Sequence, residues 1–312
     1  MHDLILHHYP MSPFAEKARS MLGFKGLVWH SVHIPSVMPK PDVVALTGGY
    51  RRTPLLQIGA DIYCDTALIA DVLEHREPEP ALFPVHARGL ARLVAQWADT
   101  TLFWASMSHT LSPKGAAALF GKAPPEEGKT FATDRAAMRV NMTQLRPADA
   151  TSAYRSYLRR LANMLDDQPY LLGEQPCVAD FAAFHPLWFT LRINPAMAGI
   201  FDGTPDVLEW FERIEAIGHG QPQRMRSADA VGIAHAATPE PIKPDEVFQD
   251  DHGIALGSRV TIAAESFGTE TTEGTLRAAT RTRYTVERQD ERAGTVHVHF
   301  PRVGYVLREV KA

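Results

Sequence analysis

The sequence predicts an α/β domain, then an all-α helical domain, then a small β-rich domain of barrel-like form. Three observations carry that reading. Strand and helix signals alternate through the first eighty or so residues, stripes at helical spacing run for over a hundred residues beyond them, and four or five short β runs fill the C-terminal part. Proline-rich stretches fall at both joints, with Pro78, Pro80 and Pro84 at the first and Pro239, Pro241 and Pro244 at the second. The expected domains are therefore 1–80, 86–225 and 245–312.

Leu4 to His8 reads as a strand. Ser12 can cap a helix whose first position, Pro13, has no amide hydrogen to leave unpaired, and Phe14, Ala18, Met21 and Leu22 recur at helical spacing until Gly23 and Gly26 end it. Val28 to Ile34 alternates apolar and polar residues as a second strand, and a loop holding Pro35, Pro39 and Pro41 leads to a short helix around Asp42 to Leu46. Leu55 to Ile58 and Asp61 to Cys64 form a hairpin about Gly59 and Ala60, after which Thr66 to Glu74 returns as helix. The order is βαβαββα, which resembles a thioredoxin-like layer. Helical stripes follow at Arg88 to Met107, Thr151 to Leu165, Val178 to Leu191 and Asp206 to Ile217. Gly121 to Lys129 holds too many helix breakers and is expected as an exposed excursion. Past a linker around Lys243 and Pro244, β runs lie at Arg259 to Ala263, Gly274 to Leu276, Arg283 to Glu287, Gly294 to Phe300 and Gly304 to Leu307.

Composition narrows the function classes. A chain of 312 residues, 45% of them apolar, can bury a large core, and its formal charge of -4 gives no field that would gather nucleic acid or an anionic membrane. Neither is expected as a partner. The two cysteines, Cys64 and Cys177, form no CxxC pair, and no apolar run is long enough to span a bilayer, so a reducing, cytoplasmic setting is expected. The fourteen histidines include His7, His8, His297 and His299, which lack a carboxylate or cysteine partner at ligand spacing. No metal site is expected.

The chemistry-bearing residues sit in the first domain. Ser12 offers a hydroxyl at a strand-to-helix turn, Thr53-Pro54 enters the third strand, and Asp65-Thr66 opens a helix, three features that can converge on one small anionic peptide. Tyr9 is a second hydroxyl at the same turn. Each has a structural reading too: Ser12 as a plain cap, Tyr9 as a half-buried strand-end aromatic, Pro54 as the opening of an edge strand and Asp65 as an N-cap.

On these residues the segment 1 to about 225 resembles a soluble glutathione S-transferase. The string Ser12-Pro13-Phe14-Ala15-Glu16-Lys17-Ala18-Arg19 is especially similar to the omega class, which has cysteine at the Ser12 position, and to the tau class, which has serine. The resemblance implies glutathione as co-substrate, a cis Thr53-Pro54 bond, a small-molecule electrophile as the other substrate, and a homodimer. It also implies that Ser12, or Tyr9, donates a hydrogen bond to the glutathione sulfur. A free thiol has a pKa of roughly 8.5 and only its thiolate attacks, so a hydroxyl donor and helix-start amides around the sulfur favour the reactive form. Phe14, Arg51, Arg52, Thr53, Pro54, Asp65 and Thr66 would hold the tripeptide, either arginine taking the glycyl carboxylate, with Lys40 a weaker candidate. Trp97, Phe103, Trp104, Met107, Tyr154 and Trp188 are candidates for the electrophile pocket, or plain core. Cys177 and Asp180 match the family's capping box before a buried helix, half made because cysteine is a poor cap. A binding or scaffold protein whose β-rich domain recruits a partner, and glutathione-dependent reductase or lyase chemistry, are the alternatives. The β-rich domain lies outside the resemblance.

Overall fold

The computed structural model describes residues 2–121, 124–140, 142–242, 248–249 and 251–311. Lys243 and Pro244 of the expected linker, the first residues of the expected third domain (245–247), and residues 122 and 123 of the expected excursion lie outside the described residues.

Strand β1 (Ile5–His8) lies parallel to β2 (Val28–His33), with α1 (Pro13–Phe24) between them in sequence. Helix α2 (Pro41–Thr47) leads into the hairpin of β3 (Leu55–Ile58) and β4 (Asp61–Cys64), and α3 (Thr66–Arg76) closes the unit. The period of two along each strand decides what the two faces meet. Leu4, Leu6 and Leu56 enter a core shared with α1, α3 and the helical layer, whereas Ile5, Leu55, Ile62 and Cys64 enter a second core with α2 and the C-terminal strands.

The helical layer comprises α4 (Arg88–Trp97), α5 (Phe103–Thr110), α6 (Pro113–Phe120), α7 (Pro125–Met138), α8 (Pro147–Met164), α9 (Val178–Trp188) and α10 (Pro205–Glu215). Where one helix is expected from Arg88, a π-helical turn at Ala98–Leu102 joins α4 to α5. Helix α7 begins inside the segment expected to be non-helical. Pro125 at its first position needs no amide partner, Glu126 and Glu127 suit the positive helix end, and the single Gly128 is tolerated. Helix α9 is buried all round, and its capping box is complete: the Cys177 sulfur accepts from the Asp180 amide, and Asp180 accepts from the Cys177 amide at 2.9 Å. Asp180 also accepts from the Leu171 amide and the Trp210 indole, both at 2.9 Å, which ties α9 to α10. No helix among the described residues is long and apolar enough to cross a membrane.

Two elements that follow the helical layer had no sequence signal. Strand β5 (Gln221–Met225), inside the range expected for the helical domain, pairs parallel to β2 at the sheet edge; it is polar, mostly exposed and contains Pro222, as an edge strand permits. Helix α11 (Ser227–Ala236) then buries Ala230, Val231 and Ala234 in the second core.

The β runs form β6 (Arg259–Ala264), β7 (Thr272–Ala279), β8 (Arg283–Asp290), β9 (Gly294–Pro301) and β10 (Tyr305–Glu309). Only residues 302–304 separate β9 from β10, yet β10 pairs with β6, so the five strands curl until first and last meet. This gives the barrel-like form. It does not hang apart from the rest: β9 pairs in parallel with β4 through Asp61 opposite His297, Ile62 opposite Val298 and Tyr63 opposite His299. One ten-stranded sheet results, in the order β10-β6-β7-β8-β9-β4-β3-β1-β2-β5.

Val43, Leu46 and Ile62 share one buried cluster with Val260, Val286, Val298 and Phe300. Ending the chain at residue 242 exposes this cluster and leaves β4 as an unpaired edge, both conditions that favour aggregation. We expect calorimetry of the full chain to show the first domain and the C-terminal strands melting in one transition, and the fragment 1–242 to be recovered as aggregate. A soluble fragment with native circular dichroism would refute the shared core.

Candidate functional site

Ser12 stands where β1 hands the chain to α1. Its extended backbone (φ -77°, ψ 118°) and its Oγ, which accepts from the Ala15 amide at 3.2 Å, make it the N-cap of α1. The cap uses an oxygen lone pair and leaves the hydroxyl hydrogen available. Tyr9 lies on the same cleft, and its hydroxyl accepts from the Arg135 guanidinium of α7 at 3.1 Å. Phe14 turns from α1 toward the helical layer, its ring 4.7 Å from Phe103 and 4.5 Å from His185.

The Thr53-Pro54 bond is cis, and both residues line the cleft. Asp65 is the one non-glycine residue with positive φ among those described (+76°). One of its oxygens caps α3 through the Ala67 amide at 2.9 Å, and the other accepts from the Tyr305 hydroxyl at 3.0 Å. The Thr66 hydroxyl accepts from the ammonium of Lys17 at 3.1 Å, so its own hydrogen is directed elsewhere. Lys17 is fully buried and also pairs with Asp99 at 2.5 Å, and Asp99 meets His185 at 3.0 Å. Burial alone would push the Asp99 carboxyl up, but Lys17 and His185 outweigh it and hold the group below the usual carboxylate range.

Both arginines are already engaged. Arg51 donates to Glu270 at 2.5 Å and to Asp134 at 2.6 Å, joining the β6–β7 loop and α7 beneath the cradle. Asp134 would be raised by burial; hydrogen bonds from the Met38 amide and Arg51 bring it below its ordinary value. Arg52 donates to the Phe267 carbonyl at 2.6 Å, lies 3.9 Å from Asp65 and faces the rings of Phe267 and Tyr305. The third candidate named from the sequence is Lys40, whose Nζ donates to the Arg51 carbonyl at 3.2 Å and to the Thr53 hydroxyl at 3.1 Å. Burial, with Arg135 and Arg51 nearby, brings its pKa down to about 8.

All nine expected residues, Tyr9, Ser12, Phe14, Arg51, Arg52, Thr53, Pro54, Asp65 and Thr66, line one cleft of about 2140 Å³. Pockets for single small ligands hold roughly 300–1,000 Å³, so a tripeptide and a second molecule fit together. The wall from the helical layer includes Phe103, Trp104 and Met107 as expected. Trp97, Tyr154 and Trp188 do not line the cleft: Tyr154 is fully buried, Trp97 packs edge-on against Tyr157, and Trp188 is buried beneath Arg19. Cys64 is buried in the second core, and desolvation holds its thiol well above the ordinary value, so it is no nucleophile.

Sequence reasoning missed Lys17, Asp99, Arg135, Glu270, Phe267 and Tyr305. The last three come from the C-terminal strands and their loop, which close one side of the cleft; Phe267 packs against Trp104 with ring centres 5.2 Å apart. No short-range pattern announces contacts more than two hundred residues apart, such as that of Arg51 with Glu270.

Known proteins agree with this geometry. A model of the glutathione S-transferase N-terminal domain matches residues 6–81, and one of the C-terminal domain matches residues 132–213. The crystal structure of a GST-like protein from Pseudomonas syringae is similar at 41% identity and a TM-score of 0.83, covering 99% of this chain and 100% of that one. FtsZ-localized protein A of Caulobacter vibrioides is 26% identical over 184 residues, 57% of this chain and 73% of that protein. Beta-etherase LigF from Sphingobium sp. shares the fold at 19% identity and a TM-score of 0.52, over 69% of this chain and 95% of that one. With two domain models in the expected order and a relative alike over its whole length, C-terminal strands included, the chain belongs to the glutathione S-transferase superfamily.

Proposed function

We propose that the chain binds glutathione in this cleft and activates its thiol for attack on a small electrophile. The observation that carries the reading is the convergence of two helix starts on one cleft, α1 bringing the Ser12 hydroxyl and α3 the Thr66 hydroxyl. In this reading the Ser12 hydroxyl donates to the sulfur while the first amides of α1 add positive potential, so the thiol proton leaves to solvent near neutral pH. The main chain of Thr53 pairs with the cysteinyl unit. Thr66, its oxygen occupied by Lys17, donates to the γ-glutamyl α-carboxylate, and Asp65 faces the ammonium. Lys40 takes the glycyl carboxylate in place of the engaged arginines. The thiolate then attacks a carbon held against Phe103, Trp104 and Met107, forming a C–S bond as a leaving group departs or a double bond is saturated. The cleft wall of Ser12 and Pro13 provides no thiol for a mixed disulfide.

The reading includes a homodimer and a cytoplasmic setting. Leu90 and Leu93 on the outer side of α4 are 53% and 66% exposed, an apolar stripe suited to a second copy, and both cysteines are free. A second reading, a glutathione-fold scaffold, draws support from the likeness to a protein named for its localisation with FtsZ and from arginines occupied within the chain. Calorimetric titration with glutathione, run beside a conjugation assay, separates the two. Binding with turnover supports the enzyme, and binding without turnover, or none at millimolar ligand, supports the scaffold.

A hydrogen bond to a charged group contributes about 1.5–3 kcal/mol, so Ser12→Ala is expected to raise the bound thiol's pKa by about 1–2 units and lower kcat/KM roughly 10- to 100-fold. Tyr9→Phe tests the other hydroxyl, which accepts from Arg135 and likewise keeps its own hydrogen; with Ser12 as the donor it should leave both within about threefold. Thiolate absorbance against pH, with conjugate formation, checks this; full activity in Ser12→Ala removes Ser12 as the donor.

Lys40 yields a pH dependence. A bound carboxylate favours the ammonium form and raises its pKa, so binding takes up protons near pH 8 and affinity falls as pH rises through about 8. S-methylglutathione has no thiol to titrate but keeps its ammonium, so the effect of Lys40 is the difference between the slopes of the unaltered protein and Lys40→Met, which should weaken binding and reduce the slope. A flat profile in the unaltered protein rules out Lys40 as the carboxylate's partner.

A further inference from the structure

We infer that Asp61, His297 and His299 bind one divalent transition-metal ion, with zinc the best match, at the seam where β9 meets β4. The two histidines alternate along β9 and so share one face of the sheet, and Asp61 stands directly opposite His297 in the parallel pairing. The missing carboxylate at ligand spacing is thus supplied by a strand more than two hundred residues away in sequence.

The geometry is that of a ligand set. Asp61 Oδ1 lies 2.9 Å from His299 Nε2 and 3.7 Å from His297 Nδ1, and the three ligand atoms all fall within 4.8 Å of one another. A tetrahedral zinc ion with bonds of roughly 2.0–2.2 Å separates its ligand atoms by about 3.3 Å, a value those two distances bracket. All three residues are buried, and His297 Nδ1 is buried without a hydrogen-bond partner, facing the carboxylate. An ion among the three atoms supplies that partner.

The outer contacts match a metal site as well. Ligating histidines orient their second nitrogen on a carboxylate, hydroxyl or carbonyl, and ligating carboxylates are themselves hydrogen-bonded. Here His297 Nε2 faces Glu287 at 3.5 Å, His299 Nδ1 meets the Thr285 hydroxyl at 2.9 Å, and the free Asp61 oxygen accepts from the Glu240 amide at 2.8 Å. Tyr63 stacks on the His299 ring with centres 4.5 Å apart, fixing its plane. On binding, His299 moves its proton from Nε2 to Nδ1, where Thr285 accepts it, so no net proton leaves that residue. Two nitrogens and one carboxylate oxygen suit zinc or iron(II) over magnesium or calcium, which prefer oxygen sets. Three protein ligands leave a fourth position to water. Joined to strands from both ends of the chain, the ion acts as a staple between the first domain and the C-terminal strands.

Full-length protein stripped of metal with a chelator and titrated with zinc chloride tests this, with thermal melting and metal content as parallel readouts. One ion per chain and a raised melting temperature are expected. His297→Gln, which alters the nitrogen lacking a partner, should weaken binding by at least about 100-fold, and Glu287→Gln, which leaves all three ligands in place, about 10-fold. Far-ultraviolet circular dichroism verifies that each variant is folded, and Glu287→Gln carries the test should His297→Gln fail to fold. No saturable one-to-one binding, or unchanged affinity in a folded variant, overturns the site and leaves the cluster as a polar clamp.

Discussion

The pairing of β4 with β9 is the constraint on which the rest of the molecule depends. Three residue pairs convert two sheets into one, and the placement of the C-terminal strands against the first domain follows from their register. Parallel strands carry side chains buried on both faces, and both faces here are used. Ile62 and Val298 enter the core beneath α2 and α11, whereas Asp61, His297, Tyr63 and His299 meet on the opposite face. A shift of β9 by one residue would turn its side chains over, placing two imidazoles in an apolar core and taking Val298 out of it. Burying a large apolar side chain contributes about 1.5–3 kcal/mol, so the Val298 and Phe300 positions alone hold the register firmly.

The same pairing shapes the cleft. Strand β4 ends at Cys64 and α3 begins at Thr66, so Asp65 is the pivot between the seam and the helix start that opens on the cleft. Tyr305, at the start of β10, reaches Asp65 because only residues 302–304 separate β10 from β9, the strand paired with β4. Burial holds the Tyr305 phenol well above its ordinary pKa, so it stays a neutral donor to the carboxylate. A residue with positive φ is thereby fixed from both ends, by the Ala67 amide and the Tyr305 hydroxyl. The C-terminal strands are part of the site's wall.

What was legible in the sequence was local. Strand alternation, the Ser12-Pro13 start of α1, the Gly59 hairpin and the stripes of α8 to α10 are each decided within about ten residues, and each element lies where its pattern puts it. The superfamily followed from motifs of the same short range. What stayed hidden was long-range or ambiguous by nature. Strand β5 is polar and depends on β2 for its pairing, α7 overrides its glycine and prolines, and no spacing rule could place Asp61 beside His297. For Ser12 the cap and donor readings describe different parts of one hydroxyl: the oxygen serves the Ala15 amide and the hydrogen remains. A choice that looked exclusive in sequence is not exclusive in space.

The arginines carry the argument one step further. Arg51 and Arg52 hold the place from which the resemblance implied a contact to the glycyl carboxylate, and without the C-terminal strands neither Glu270 nor the Phe267 carbonyl would be present to occupy them. Arg51 in particular bridges α7 and the β6–β7 loop, so releasing it for a ligand would take from Glu270 the cation it faces and leave Asp134 with Arg135 alone. An ion pair of that kind resists exchange, since the entering carboxylate must displace two others. The role of anion partner then passes to a cation whose hydrogen bonds are to neutral groups, and Lys40, bonded to a carbonyl and a hydroxyl, is placed for it. The C-terminal strands thus bear on the electrostatics of the cleft as well as its outline: they hold both arginines in structural contacts, and in the proposed reading Lys40, whose pKa burial brings down to about 8, is left to meet the carboxylate.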